Sequence, residues 1–330
     1  VTGPHLLAVA PSPFVTVQDG GRQGWQRFGV SSCGAMDMRA LAAANLLVGN
    51  PPGAGGLEFA YAAGEWRLNA ASCRIAVTGG GFRVRIGERT LPPWRSVTLR
   101  RGESLQVDGG VDAVWGYVAV AGGIDLPRQL GSMSTHLRSG IGGLQGRTVQ
   151  AGDAVPLALA DAPGGPEQAL PPPEKDAGPL RVVLGPQDDY FWAEAIETFL
   201  SAPFTVSPQI DRLGYRLVGP TLDHAKGFNV ISDGVVPGCI QVPGDGKPIV
   251  LMRDCQPPGG YPKIATLVSA DFGRLAQSRP GTILHFRQVG IAEAQLLRRR
   301  MVAAMAAMRG ELAMINNSVR FRRPVEQTPR

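Results

Sequence analysis

Lys247, Asp254 and Lys263 stand in one stretch, "GCIQVPGDGKPIVLMRDCQPPGGYPK" at residues 238 to 263, together with Gln241, Gly259, Gly260 and Tyr261. An ammonium can offset negative charge, an amide can hydrogen-bond another amide, and paired glycines let backbone N–H groups approach an anion. Lysine is otherwise scarce: Lys175, Lys226, Lys247 and Lys263 are the full set, so two of four fall here. The Asp-Gly pair in "PGDG" predicts a hairpin turn between "CIQV" and "PIVLMRD", with Lys247 leaving the turn beside the second strand. The sharp expectation is that Lys247 folds over a pocket with Asp254 and the glycines. The plain alternative is a solvated lysine.

Three further stretches carry candidate binding groups. "DRLGYRLVGP" holds Asp211, Arg212 and Arg216. The even spacing of the two arginines puts both guanidinium groups on one face of an extended strand, a fork for carboxylate or phosphate. The alternative is an Asp211–Arg212 pair bracing a turn. "TVQDGGRQGWQRFGVSSCGAMD" sets Gln18, Asp19, Arg22 and Ser32 in a glycine-rich loop that runs into a helix near Asp37, where an anion would be stabilised. It lacks the Gly-Lys-Ser/Thr ending of a P-loop. "GSMSTHLRSGIGGLQGR" offers Ser132, Ser134, Thr135, His136, Gly142, Gly143 and Arg147, either a ligand-contacting loop or a long turn.

Other chemistries find little support. No G-x-S-x-G occurs, and His136 is the one histidine near candidate hydroxyls, so a serine-hydrolase reading is disfavoured. Cys33, Cys73, Cys239 and Cys255 are far apart, and no His/Asp/Glu set has ligand spacing, so no metal site is expected. A net charge of +6 invites a nucleic-acid reading, but the basic residues are scattered and not interleaved with aromatics. Arg298, Arg299 and Arg300 form one cluster, read as the polar face of a helix. No run approaches the roughly 18 apolar residues of a membrane span, and the first residues lack a signal-peptide pattern, so a cytoplasmic protein without membrane or nucleic-acid partners is expected.

The elements that must position these groups are mainly strands. With 44 glycines and 28 prolines spread along 330 residues, most periodic segments are short. "CRIAVTGG", "FRVRIGE", "SVTLRRGESLQV", "DAVWGYVAVAGG", "LRVVLGP", "GKPIVLMRD" and "TILHFRQV" are β-branched runs bounded by turn formers. Three helices are predicted: "MDMRALAAANLLVG" with Asp37 as cap and Gly49 as stop, "QDDYFWAEAIETFL", and "SADFGRLAQ". The fold class is mainly β with a few helices. Residues 161–180, rich in proline, read as a linker between β domains at 1–160 and 181–290, with a helix and polar tail at 291–330. A faint internal echo, "GRQGWQRFGV" against "DRLGYRLVGP", favours two similarly built domains over two unrelated ones. The last helix is expected to pack on its own barrel, with a partner contact through its methionines as the alternative.

The long motifs "TVQDGGRQGWQRFGVSSCGAMD", "LEFAYAAG", "VAVAGGIDLPRQLGSMSTH", "GIGGLQGR", "DRLGYRLVGP", "VVPGCIQVPGDGKPIVLMRDCQPPGGYPKIATLVSADFGRLAQ" and "PGTILHF", in this order over roughly residues 5 to 290, resemble the KipA/PxpC family. That family is also described as allophanate hydrolase subunit 2, or as part of a biotin-dependent carboxyltransferase domain. The resemblance implies two cyclophilin-like β-barrel domains in tandem. It implies a role in ATP-dependent opening of 5-oxo-L-proline to L-glutamate, with a KipI/PxpB-like subunit and a LamB/YcsF-like PxpA subunit as partners. ATP, with Mg, would bind this chain or its partner. On this reading Lys247 and Lys263 offset phosphoryl charge, Arg212 and Arg216 clamp a carboxylate or phosphate, Asp254 orients a nucleophile or cation, and Gln241 holds the lactam. Two alternatives come with the resemblance: a carboxyltransferase component served by biotin on a separate carrier, and a non-catalytic antagonist that binds a KipI-like protein.

Overall fold

The computed structural model describes residues 3–319 apart from 111 and 175, with side chains as far as Leu312. The polar tail expected after residue 319 and Lys175 lie outside the described residues. The fold is mainly β, as the glycine and proline spacing predicts. In the first half, six strands run in the order Ala154–Pro156, His5–Pro11, Gly64–Asn69, Ser104–Asp108, Arg83–Ile86 and Arg89–Leu91. Five more run Thr16–Gln18, Gly56–Ala60, Trp115–Val120, Ser72–Thr78 and Arg95–Arg100. The two sheets enclose one core that includes Leu6, Trp66, Phe59, Phe82, Ile75 and Val118.

Alternation explains the layering. In Arg83–Ile86 the arginines are exposed and Val84 and Ile86 buried, the period of two expected for a half-solvated strand. Trp115–Val120 is buried throughout because both of its faces are covered. Val118 and Val120 enter the core between the sheets, while Tyr117 and Ala119 face a helix.

That helix is α1, Met38–Leu47, capped by Asp37, whose carboxylate accepts from the Arg39 and Ala40 N–H groups at 3.1 Å each. Eight of its ten residues are buried, which suits an alanine-rich sequence apolar all round. Gly49 ends the turn at φ +86°. The helix α2 spans Ala193–Ser201 and α3 spans Phe272–Ala276, each led in by a 3-10 turn. The long α4, Ile291–Val319, turns a stripe of Ala294, Leu297, Met301, Met305, Met308 and Leu312 inward at spacings of three and four. Met308 and Leu312 join the α1 core, so the methionines fill this chain's own packing.

The second half forms one eight-stranded sheet in the order Ile283–Leu284, Phe204–Ile210, Gly214–Val218, Ile249–Leu251, Cys239–Gln241, Lys263–Leu267, Leu180–Leu184 and Phe286–Gln288. Its two edges are consecutive pieces of one segment, 283–288, so the sheet is a nearly closed barrel and presents little free edge. Within the expected linker, residues 167–170 run along the Arg95–Arg100 strand. The Ser96 N–H donates to the Gln168 carbonyl at 2.7 Å, and Leu170 is buried in the α1 core.

The two halves share packing. Met36, Ala60, Val114 and Trp115 from the first half belong to the core of the second. The Trp115 indole donates to the Tyr215 hydroxyl at 2.9 Å, and the Gln277 Oε1 accepts from both the Val114 and Trp115 N–H groups at 3.0 Å.

Candidate functional site

Asp211 makes a local turn. Its carboxylate accepts from the Leu213 and Gly214 N–H groups at 2.7 and 3.0 Å. The strand therefore begins at Gly214, and Arg212 lies outside it, so the even-spacing argument fails. Arg212 points inward and is 7% exposed, while Arg216 is exposed beside Asp245 at 3.8 Å. The predicted arginine fork does not form.

Arg212 instead joins the halves. Its Nε donates to Asp254 Oδ2 at 2.9 Å and its Nη2 to Asp254 Oδ1 at 2.7 Å, a bidentate pair, and Nη2 also donates to the Gly34 carbonyl at 2.8 Å. Its Nη1 pairs with Glu58 Oε1. The other Glu58 oxygen accepts from the Met36 N–H at 2.7 Å and the Tyr117 hydroxyl at 2.8 Å. Burial works against the Arg212 charge, but Asp254 and Glu58 outweigh it and hold its pKa above the ordinary guanidinium value. Burial holds the Glu58 carboxyl above the usual range, and the Arg212 charge offsets this. Burial, with the Asp254 charge, pushes the nearby Cys33 thiol up to about 12, so no thiolate forms near neutral pH.

Asp19 organises the second polar group. Its Oδ1 accepts from Gly21 N–H at 2.8 Å and Ser134 Oγ at 2.7 Å, and also from Ser132 Oγ at 2.5 Å, while Oδ2 accepts from Met133 N–H at 2.8 Å. Burial raises its pKa, but these donors together hold it below the usual carboxylate value. Arg22, 1% exposed, donates through Nη2 to the Ser134 carbonyl at 2.6 Å. Gln18 donates to Thr16 Oγ1 at 3.1 Å and the Thr135 carbonyl at 3.0 Å. Segment 132–136 is thus pinned to 16–22. Gly142, at φ +73°, comes so close that a Cβ there would lie 2.0 Å from the Ser134 carbonyl oxygen.

The opening stretch divides. Lys263, 1% exposed, donates to Asp233 Oδ2 at 2.6 Å and the Gly234 carbonyl at 3.0 Å. Gln241 is buried and donates to the Tyr261 carbonyl at 3.1 Å, and a Cβ at Gly259 would meet its amide nitrogen at 2.6 Å. Gly260 accepts from the Val230 N–H at 2.9 Å, and the Tyr261 side chain is exposed. These residues do share one corner. Lys247 is elsewhere, its ammonium on the Gly219 carbonyl at 2.6 Å and Thr221 Oγ1 at 3.3 Å, and Asp254 belongs with Arg212. The expected convergence of Lys247, Asp254 and Lys263 is not found. Arg147 pairs with Asp153 at 2.6 Å on the surface, and Asp37 already occupies the α1 N-terminus, which is therefore no anion site.

Two cavities compete for the role of site. One of about 400 Å³ lies around Asp176, Arg274 and His285, but the Arg274 donors already hold Asp176, Gly178, Pro179 and Asp271. The other, of about 300 Å³, opens between the halves, with Phe14, Trp115 and Leu137 on its walls and Arg212, Asp254 and His136 among its polar groups. It brings together Arg212 and Asp254, which the sequence marked, with Glu58 directly behind them, which it did not. Glu58 sits in an apolar strand, "GLEFA", and that buried acid was the available signal. Among the described residues no cluster of three or more metal-ligating side chains occurs, and no helix is long and apolar enough to cross a membrane.

Residues 28–288 match the family model "Carboxyltransferase domain, subdomain A and B". The chain is 38% identical to a 5-oxoprolinase subunit of Escherichia coli over 88% of its own length and 93% of that protein. It is 35% identical to the corresponding 5-oxoprolinase subunit of Haemophilus influenzae, over 86% of its length and 91% of the relative. Among solved structures it resembles the Kluyveromyces lactis urea carboxylase with a TM-score of 0.86 and 27% identity, covering 94% of this chain and 30% of that one.

Proposed function

This chain belongs to the KipA/PxpC family of carboxyltransferase domains, and from that premise we propose that it is a subunit of an ATP-dependent 5-oxoprolinase that opens 5-oxo-L-proline to L-glutamate. The observation that carries the reading is the inter-half cavity, which joins apolar walls to an Arg212–Asp254 pair at a size suited to a small polar ring. The assembly would include KipI/PxpB-like and LamB/YcsF-like PxpA subunits. A lactam carbon is a poor electrophile, so ATP would serve to activate its oxygen before water attacks.

Five of the six cations named for substrate or phosphate are held by oxygens of this chain. Lys247, Lys263, Arg147, Arg212 and Arg216 all face protein oxygens in separate places, so no phosphoryl step is assigned to them and ATP, with Mg, is assigned to the partner. What this chain contributes is a shaped chamber. Its apolar walls, Phe14, Trp115 and Leu137, would seat the ring beside the Arg212–Asp254 pair.

The test is to mix the three subunits and follow 5-oxoproline-dependent ATP hydrolysis with glutamate release. Turnover that needs this chain supports the reading, and equal turnover without it rejects the reading. A second reading rests on the resemblance to urea carboxylase: the same chamber would take urea and the ureido ring of biotin on a separate carrier. Carboxyl transfer to urea without opening of 5-oxoproline would favour it. Binding of a KipI-like protein with neither activity would leave the antagonist role.

A further inference from the structure

Phe14 and Leu137 are large apolar side chains left 61% and 44% exposed, and both line the cavity between the halves, so they stand at its mouth. Arg138 stands there too. It is exposed, and its guanidinium makes no hydrogen bond or ion pair with the described residues. The other charged groups of the lining are engaged, Arg212 with Asp254 and Asp211 with the N–H groups of its own turn. Ile210 and Leu213 border the opening from the second half. An exposed phenylalanine, an exposed leucine and an unpaired arginine around one opening are the composition of surface that another protein covers.

The chemistry decides which protein. The inference rests on the oxoprolinase reading, in which the chamber holds the lactam and the nucleotide belongs to a partner. In the activating step the bond from the γ-phosphorus to the bridging oxygen of ATP breaks, its electron pair leaving with ADP, and a bond forms from that phosphorus to the lactam oxygen. The reacting atoms must come within about 3–3.5 Å. Arg212 and Asp254 are buried, so the approach to the chamber is from its exposed side, past Phe14, Leu137 and Arg138. We propose that this rim is the docking surface of the nucleotide-carrying partner subunit, and that Arg138 meets the phosphoryl oxygens across the interface. A guanidinium supplied by one chain to a phosphoryl group held by another stabilises the charge on the group in transfer. Arg138 suits this role where the engaged cations do not, because it gives up only water to take an anion.

The experiment is calorimetric titration of the full chain with the KipI/PxpB-like and the PxpA-like subunit, for the wild type and for Phe14→Ser, Leu137→Ser and Arg138→Ala, each checked for an unchanged melting temperature. Expected is binding of the wild type to the subunit that takes up ATP, weakened tenfold or more by Phe14→Ser and by Leu137→Ser. In the assembled complex Arg138→Ala should weaken binding of ADP with aluminium fluoride, a mimic of the group in transfer, tenfold or more. Binding of ADP alone should stay within about twofold, and Arg138→Lys should recover part of the loss. Undiminished affinity in both apolar variants, no binding to the ATP-carrying subunit, or self-association of this chain that the same variants abolish overturns the docking surface. Equal binding of ADP with aluminium fluoride by Arg138→Ala overturns the role of Arg138. Rim variants that lose the partner, in an assembly whose wild type leaves 5-oxoproline unopened, spare the surface and sink the oxoprolinase reading. An assembly that opens 5-oxoproline, with all three variants fully associated and active, does the reverse.

Discussion

Arg212 and Glu58, separated by 154 residues in sequence, form a buried ion pair that ties the barrel of the second half to the Gly56–Ala60 strand of the first. Removing Arg212 leaves two carboxylates, Glu58 and Asp254, without their cation. Breaking a buried pair in this way costs about 3–5 kcal/mol. Arg212→Met should lose that much stability in urea denaturation, and a double-mutant cycle with Glu58→Gln should be strongly non-additive. Additive effects would mean the pair contributes nothing as a pair.

Asp19 makes stability depend on acid. Its folded pKa lies below the ordinary value, so its contribution is full above the unfolded value of about 4 and is lost as pH falls through the folded one. Asp19→Asn should weaken the fold by about 1–3 kcal/mol at pH 7 and flatten the decline below about pH 4. Denaturation curves at both pH values check this, and an unchanged acid limb would place the dependence elsewhere.

Lys247 should prove dispensable for catalysis. Its ammonium caps the Gly219 carbonyl at the far end of a strand, so Lys247→Ala should leave 5-oxoproline turnover of the assembly within about twofold. A tenfold loss would return Lys247 to the site.

Gly142 holds the candidate site in shape. A side chain there meets both the positive φ and the Ser134 carbonyl, so Gly142→Ala should cost more than about 1 kcal/mol and weaken ligand binding through segment 132–136. Calorimetry beside a thermal melt separates the two effects.

Gly310 offers the opposite sign. It lies exposed within α4 with open space where a Cβ would go, so Gly310→Ala should stabilise by up to about 1 kcal/mol. A lower melting temperature would show that a side chain at position 310 is disfavoured in the folded chain.

Local chemistry was legible in the sequence and long-range chemistry was not. Asp37 and Gly49 bracket α1 as read, because caps act within one turn. The Arg212–Arg216 fork failed because Asp211 closes a turn that delays the strand by two residues, and a two-residue delay is invisible to spacing arguments. Glu58 escaped because its partner comes 154 residues later, and no local pattern announces such a pairing. Lys263 and Gln241 did meet in one corner, yet Asp254 turned to the other half of the molecule.

Gln277 illustrates what this architecture demands during synthesis. Its carboxamide closes the backbone donors of Val114 and Trp115 and also reaches Asp37 at 3.0 Å. While a ribosome is still extending the chain toward residue 277, the earlier sheets expose a tryptophan and two unmet amides. The nascent first half must therefore wait, unfinished, for its own descendant to seal it.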